Sequence, residues 1–246
     1  MDPTMEKILQ QTKDMDASQL IAIVVSTFGD KVALASSFGA EDQVITHMLC
    51  EISERPQIFM LDTGRLCEET YEVIEATRYK YGIDIEMLTP SSSELGKMLK
   101  SYGPNLFYNS IEGRKKCCRI RKVEPLKHKL EQLLAWICGL RSEQAVTRKD
   151  LQRIEWDDAH GLIKISPLAD WTTGQVWDYI HKHNVPYNKL HDKGYPSIGC
   201  SPCTQPVKSG QDIRSGRWWW EQPEHKECGL HLKPQDTDKE KNNGSS

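Results

Sequence analysis

The chain lacks any long apolar run. None of its 246 residues belongs to a stretch near the ~18 apolar positions that a membrane span needs, so no membrane partner is expected. The start, Met1-Asp2-Pro3-Thr4, has neither a basic n-region nor an apolar h-region, so no export signal is read there. An excess of positive charge is missing too. A net charge of −3 excludes a globally basic nucleic-acid binder, though not a local basic patch. No internal repeat or low-complexity segment is visible. With 38% hydrophobic and 27% charged residues, the composition argues against collagen, coiled coil and global disorder. What is left is a globular chain of one large domain or two small ones. It is long enough to bury ~70–75% of its unfolded surface.

Eight cysteines are present: Cys50, Cys67, Cys117, Cys118, Cys138, Cys200, Cys203 and Cys228. An even count fits disulfides. Without an export signal the thiols are expected to stay reduced, in a cytoplasmic protein, and metal binding or catalysis is the better reading.

The hydrophobic pattern alternates between strand and helix. Gln19 to Phe28 reads as a helix and Lys31 to Ala35 as a strand ending in the turn Ser36-Ser37-Phe38-Gly39. Glu41 to Cys50 is helical. Gln57 to Leu61 is a strand ending in Asp62-Thr63-Gly64, and Glu68 to Tyr81 is helical. Ile83 to Leu88 reads as a third strand. Ser91 and Glu94 are spaced as in a capping box. Further strands are read at Trp136 to Leu140 and Leu162 to Ile165, with a helix at Thr172 to His181. This order predicts an α/β fold: a parallel twisted sheet with helices on both faces. Ligands of such sheets sit at the carboxyl ends of the strands, where Ser36 to Asp42 and Asp62 to Arg65 lie. After about Asn184, frequent Pro and Gly break any regular element, giving a loop-rich C-terminal extension.

Chemistry concentrates in three places. Cys117-Cys118 and Cys200-Ser201-Pro202-Cys203 supply four thiolates, enough for a tetrahedral all-sulfur site. The spacing fits a zinc staple and an iron–sulfur cluster equally well. Arg114, Lys115, Lys116, Arg119, Arg121 and Lys122 crowd the vicinal pair. They would offset a cluster's negative charge, or form a solvated basic face or an RNA contact. Near the end, Cys228 has Lys226 beside it, and nearby cations raise the thiolate fraction. By itself Cys228 is better read as an incidental exposed thiol. Gly229 and the run Trp218-Trp219-Trp220, which could dock the segment, favour a role. Finally Lys122, Arg141, Arg148, Arg214 and Arg217 are scattered cations able to converge on a phosphate or sulfate.

Taken together, these motifs closely resemble the assimilatory, thioredoxin-dependent adenylylsulfate (APS) reductases of the APS/PAPS reductase family. The likeness runs from Leu34 to His231. It rests on Ser36 to Asp42, Leu61 to Arg65, Lys116 to Lys122, Gly139-Leu140-Arg141, Gly194 to Cys203 and Glu227-Cys228-Gly229-Leu230-His231. The resemblance implies an adenine-nucleotide fold of the PP-loop type. The turn Ser36 to Gly39 stands where related ATP pyrophosphatases have Ser-Gly-Gly, which argues against ATP cleavage. It also implies that Ser36, Ser37, Phe38, Gly39, Leu61, Asp62, Thr63 and Gly64 hold the adenosine part. Lys122, Arg148, Arg214 and Arg217 then hold the phosphosulfate, and Cys117, Cys118, Cys200 and Cys203 ligate a [4Fe-4S] cluster. Cys228 is the implied nucleophile. On that reading residues 1–208 form the nucleotide- and cluster-binding α/β domain. Residues 209–232 form a mobile segment carrying Cys228, and 233–246 a disordered tail.

Consecutive side chains diverge on a strand and sit ~100° apart on a helix, so vicinal ligation calls for a backbone bend and a strained site. Cys67 departs from the usual family text, which has a larger residue there. It is read as packing, like Cys50 and Cys138. The scheme that follows has the Cys228 thiolate attack the sulfur of APS, with AMP leaving and a Cys228 S-sulfonate remaining. No second cysteine adjoins Cys228 and the other three look buried, so the reductant is expected to be an outside dithiol protein such as thioredoxin. Gly210, Gly216 and Gly229 are candidate hinges. The cluster is expected to position Lys122 rather than carry electrons. The alternatives are a reductase of 3′-phosphoadenylylsulfate (PAPS) or of both nucleotides, a zinc-stapled RNA-binding module, and a PP-loop enzyme of tRNA thiolation. A homo-oligomer stays open.

Overall fold

A computed structural model of the chain describes residues 3–144, 148, 150–208 and 210–222. Two helices open it, α1 (Pro3–Thr12) and α2 (Ala17–Phe28). The second starts at a capping box in which Asp16 accepts from Gln19 N at 2.8 Å and Gln19 accepts from Asp16 N at 3.0 Å. There follow β1 (Val32–Ala35), α3 (Ala40–Ile52), β2 (Ile58–Leu61), α4 (Glu68–Tyr81), β3 (Glu86–Leu88) and α5 (Ser92–Tyr102). Next come α6 (Ile111–Cys118), a π-turn at Arg119–Val123 and α7 (Glu124–Leu130). The chain then adds β4 (Ala135–Ile137), β5 (Ile154–Asp157), β6 (Leu162–Ile165) and α8 (Thr173–Lys182).

The six strands lie in the order β3-β2-β1-β4-β6-β5. All neighbours are parallel except β5, which runs antiparallel to β6. β1, β2 and β4 are apolar at nearly every position because helices cover both faces. On one face α1, α2, α3 and α8 supply Ile8, Leu20, Val24, Val44, Ile45, Val176 and Ile180 to the main core. On the other, Leu126 and Leu130 of α7 pack on Phe59 and Trp136. The strand order reverses between β1 and β4, and the carboxyl ends there open into a crevice, the place where such sheets bind ligands.

Several expectations need correction. The strand read at Ile83 to Leu88 pairs only over Glu86–Leu88, and the one at Trp136 to Leu140 only over Ala135–Ile137. The Ser91 capping box does not form. Ser91 Oγ lies 3.1 Å from Ser93 Oγ, and Glu94 turns forward to Lys97 at 2.7 Å. The antiparallel strand β5 and the helices α1, α6 and α7 are not among the expected elements; α6 buries only Arg114 and Cys117, whereas α1 does place Met5, Ile8 and Thr12 on one buried face. Gly216, read as a hinge, is buried and close-packed, since a Cβ there would sit 2.2 Å from the carbonyl oxygen of Gln205. The hinge read at Gly229, the nucleophile expected at Cys228 and the tail expected at 233–246 lie outside the described residues. No helix among the described residues is long and apolar enough to cross a membrane.

Candidate active site

The crevice between β1 and β4 widens into a 720 Å³ cavity. Its first wall is the sheet edge. Ser36 continues β1, with its N–H donating to Phe59 O at 2.8 Å and its hydroxyl accepting from Phe38 N at 3.1 Å. Asp42, in the first turn of α3, accepts from both Ser37 N (2.6 Å) and Ser37 Oγ (2.7 Å), and from Gly139 N across the crevice at 3.0 Å. One carboxylate thus ties the turn after β1 to the turn after β4. Gly139 has to be glycine, because a Cβ there would meet Asp42 Oδ1 at 2.3 Å. Burial raises the Asp42 carboxyl to about 6, against the lowering effect of its Ser37 bonds.

The sequence-identified residues divide. Ser36, Ser37, Gly39 and Leu61 line the cavity. Phe38 is 1% exposed and faces away, into an apolar cluster with Met60, Val73 and Ile74, which holds its backbone at φ 58°. Asp62, Thr63 and Gly64 do not line the cavity, and of the three Thr63 meets a cysteine. Thr63 Oγ1 is 3.3 Å from Cys200 Sγ, Arg121 donates to Thr63 O, and Asp62 accepts from Gly64 N (2.8 Å) and from Tyr71 OH (2.9 Å). Arg141 lies at the cavity edge, but its five N–H donors are committed to Glu41 (twice, at 2.8 Å), Glu143, Trp171 O and Thr173 Oγ1 (each 3.1 Å). It is a strut for the β4 turn rather than an anion fork.

The second wall is the strap from Pro196 to Glu221, with the π-turn beneath it. Lys122 from the π-turn, Arg148, Arg214 and Arg217 all line the cavity. Arg217 lies across Gly199, reaches Ile198 O at 3.3 Å and sits 4.8 Å from the Trp218 ring, with Arg214 at 5.8 Å from the same ring. Trp218 is 1% exposed at φ 40°, so each wall holds one buried aromatic in the left-handed region.

Behind this wall are the cysteines. Cys117 and Cys203 share one apolar cluster, with Cys200 packed against it, and Cys118 is half-buried at the end of α6. Burial raises the Cys117 thiol, opposed chiefly by Arg121, and pushes Cys203 up to about 12, opposed by Arg217 and Lys122. The bend expected at the vicinal pair is the π-turn that begins one residue later. Cys118 itself has ordinary helical angles (φ −62°, ψ −41°), so the strain is absent from its backbone. Among the described residues no three His, Cys, Asp or Glu side chains are drawn together as round a single metal ion. A larger anionic group is accommodated better. Arg121 Nε, Arg217 Nε, Trp218 Nε1 and Trp220 Nε1 are buried without a hydrogen-bond partner around these thiols. A sulfide-rich cluster would satisfy such donors.

The basic run round the vicinal pair divides, with Lys115 and Arg119 exposed and Arg114 and Arg121 turned inward. Arg114 is 1% and Arg121 6% exposed, which removes the solvated-face and RNA-contact readings of those two. Cys138 is buried as expected, but Cys50 and Cys67 are only half-buried. Cys67 caps α4 on the cysteine side, with Sγ 3.9 Å from Gly199 O. Roles for Asp42, Gly139 and Arg121 were missed. Their signal was position alone, inside motifs already singled out for other residues.

Comparison with known proteins adds the following. The model of the phosphoadenosine phosphosulfate reductase domain matches residues 31–206. The chain is 48% identical over 229 residues to the adenosine 5′-phosphosulfate reductase of Allochromatium vinosum, covering 93% of this chain and 89% of that one. To adenosine 5′-phosphosulfate reductase 2 of Bacillus subtilis it is 43% identical over 224 residues, covering 88% and 90%. Among solved structures, the phosphoadenylyl-sulfate reductase of Candida auris, in a phosphate complex, matches with a TM-score of 0.71 at 25% identity, over 84% of this chain and 98% of that one. The FMN adenylyltransferase of Candida glabrata matches at 0.55 with 15% identity, over 98% and 83%, and shares the fold.

Proposed function

The chain belongs to the phosphoadenosine phosphosulfate reductase family, and on that premise we propose that it reduces APS to sulfite and AMP through an S-sulfonate on Cys228. The observation that carries this reading is the cavity itself. It opens at the switch point of a nucleotide-binding sheet and is faced by Lys122, Arg148, Arg214 and Arg217. An adenosine would lie against the Ser36–Gly39 and Gly139 turns, leaving its anionic end toward the cations. The names of the curated relatives favour APS over its 3′-phosphorylated analogue. Side-by-side kinetics on the two nucleotides checks that preference.

Cys117, Cys118, Cys200 and Cys203 would hold a [4Fe-4S] cluster, which supplies a fixed block of charge and a rigid tie between α6 and the strap. The chain's own groups carry the reaction. The Cys228 thiolate attacks the sulfur, the S–O bond to the phosphate breaks, and AMP leaves with the electron pair. Negative charge grows on the leaving phosphate, where preplaced cations stabilise it most. An outside dithiol protein, of the thioredoxin kind, then attacks Cys228 Sγ. Sulfite departs, and a mixed disulfide forms that the partner's second thiol opens.

Incubating the anaerobically purified enzyme with APS and no reductant should yield a sulfonate mass increment on the peptide containing Cys228. Cys228→Ser should bind APS and show none. An increment that persists in that variant sinks the nucleophile assignment. Iron analysis should return about four irons per chain.

A further inference from the structure

Arg114 lies one helical turn before Cys117 on α6 and makes no use of solvent. Its Nε donates to Glu221 Oε1 at 2.9 Å and its Nη2 to Glu221 Oε2 at 2.8 Å. The two side chains are 2% and 3% exposed. Its guanidinium also sits 4.8 Å from the centre of the Trp218 ring, the ring that Arg217 and Arg214 share at 4.8 and 5.8 Å. Three guanidiniums therefore converge on one buried indole, and Glu221 pairs with the first of them. Trp218 takes up a left-handed backbone and leaves its Nε1 without a partner, so it does not occupy this place by its own preference.

Buried ion pairs are a poor source of net stability compared with apolar side chains of the same volume. Their better-attested use is to fix one geometry. The pair joins two elements with different duties: the helix whose last turn presents Cys117 and Cys118, and the strap that presents Arg214 and Arg217 to the cavity. Few regular backbone bonds link those elements. Among the described residues the strap's strand-like pairing is limited to isolated bridges, Leu66 to Cys200 and Thr204 to Arg217. A displacement of α6 would reach the two cavity arginines through Arg114, Glu221 and the shared indole, alongside the packing of Cys117 on Cys203 and Trp218.

We propose that the Arg114–Glu221 pair is a positioning device, which passes the placement of the cysteine-bearing helix to Arg214 and Arg217 and so sets the affinity of the site for the sulfated nucleotide. This rests on the function proposed above.

The test is a double-mutant cycle read by equilibrium binding, in holoprotein carrying Cys228→Ser so that no turnover intervenes. APS dissociation constants are measured for that protein alone, with Glu221→Gln, with Arg217→Ala, and with both, alongside iron content and far-ultraviolet circular dichroism. Glu221→Gln should weaken binding about 10-fold and Arg217→Ala about 100-fold, while adding Glu221→Gln to Arg217→Ala should cost no more than about 2-fold further. A purely structural pair would give independent, multiplying losses, and that result overturns the proposal. So does unchanged affinity in Glu221→Gln. Unchanged affinity in Arg217→Ala would instead defeat the assignment of the anion site itself. If Glu221→Gln fails to fold, Arg114→Lys, which keeps the charge and loses the fork, takes its place in the cycle with the same expectations.

Discussion

The two walls of the cavity are built by opposite means. The sheet-edge wall inherits its shape from backbone pairing, with β1, β2 and β4 fixed in register by parallel ladders and one carboxylate spanning their ends. Among its described residues the strap wall has no strand and no helix longer than a three-residue 3₁₀ turn. Scattered backbone bonds, such as Gln205 N to Gly216 O at 2.9 Å and Trp218 N to Cys203 O at 3.3 Å, give it local turns, and side chains tie it to its neighbours: the Arg114–Glu221 pair, the cations round Trp218 and the cysteines behind them. A wall made of backbone holds a nucleotide turn whether or not anything else is bound. A wall made of side chains depends on its cross-links, and the cross-links here are what a metal cluster would add. The lesson is that cofactor loss should damage one wall and spare the other.

The sharpest way to break this comparison is Cys203→Ser. Cys203 is 8% exposed and packs on Cys117 and Trp218. The variant should lose its iron and its turnover and become open to trypsin at Arg214 and Arg217, while far-ultraviolet circular dichroism keeps the sheet and helices. Unchanged trypsin resistance would show that the strap needs no cluster. Gly139→Ala makes the converse change. Its Cβ would meet Asp42 Oδ1 at 2.3 Å, and overpacking of this kind typically costs ~1–3 kcal/mol. Nucleotide affinity should fall about 10-fold or more with iron content untouched. Loss of iron in Gly139→Ala would mean that the walls are one unit.

The same contrast explains what was legible in the sequence. The sheet wall could be read because buried parallel strands leave dense apolar runs, such as Val32–Ala35 and Leu162–Ile165, and because α4 announces itself from Glu68 to Gly82. The cysteine pattern and the cavity cations were legible as chemistry. The networks were not. Arg141 looks like Lys122 or Arg217 in a sequence, and only its five contacts, to four residues, show it to be a strut. Arg114 looked like one more charge in a basic run, though its partner Glu221 lies far along the chain. The Ser91 capping box failed because a local signal was outbid by the bond between two neighbouring hydroxyls and by the i,i+3 pair of Glu94 with Lys97. Long-range polar pairing leaves no period, so periodicity cannot find it.

A smaller effect, confined to the sheet wall, comes from Asp42. Its carboxyl titrates at about 6 in the fold against a reference of 3.8. A raised value means that the folded protein holds the proton more tightly. The group's contribution to stability is therefore fully present below pH 3.8 and is lost as pH rises through about 6. Binding runs the other way. Two N–H groups and a hydroxyl converge on this carboxylate, and a protonated carboxyl cannot accept from all of them. Nucleotide affinity should drop several-fold as pH falls through about 6, consistent with loss of one hydrogen bond. Asp42→Asn should abolish that pH dependence in binding and in the stability difference from the parent. A pH profile unchanged by Asp42→Asn would place the titration elsewhere.

The smallest expected effect separates burial from bond length. Arg78 and Glu75 on α4 approach to 2.9 Å, no looser than many bonds of the strap wall, but their side chains are 44% and 70% exposed. Arg114 and Glu221, at 2.8 Å, are 2% and 3% exposed. In water the first pair is screened and constrains two long side chains for little gain, so Arg78→Ala should shift the urea midpoint by the equivalent of about 0.5 kcal/mol or less. Adding 0.5 M salt should leave even less of it, since the screening length is then only ~4 Å. The same salt should hardly change the penalty of Glu221→Gln, because no counter-ion reaches that pair. Equal salt sensitivity in the two variants would mean that the strap opens to solvent more often than its packing implies, and the side-chain wall would then be looser than the backbone wall even with its cross-links in place.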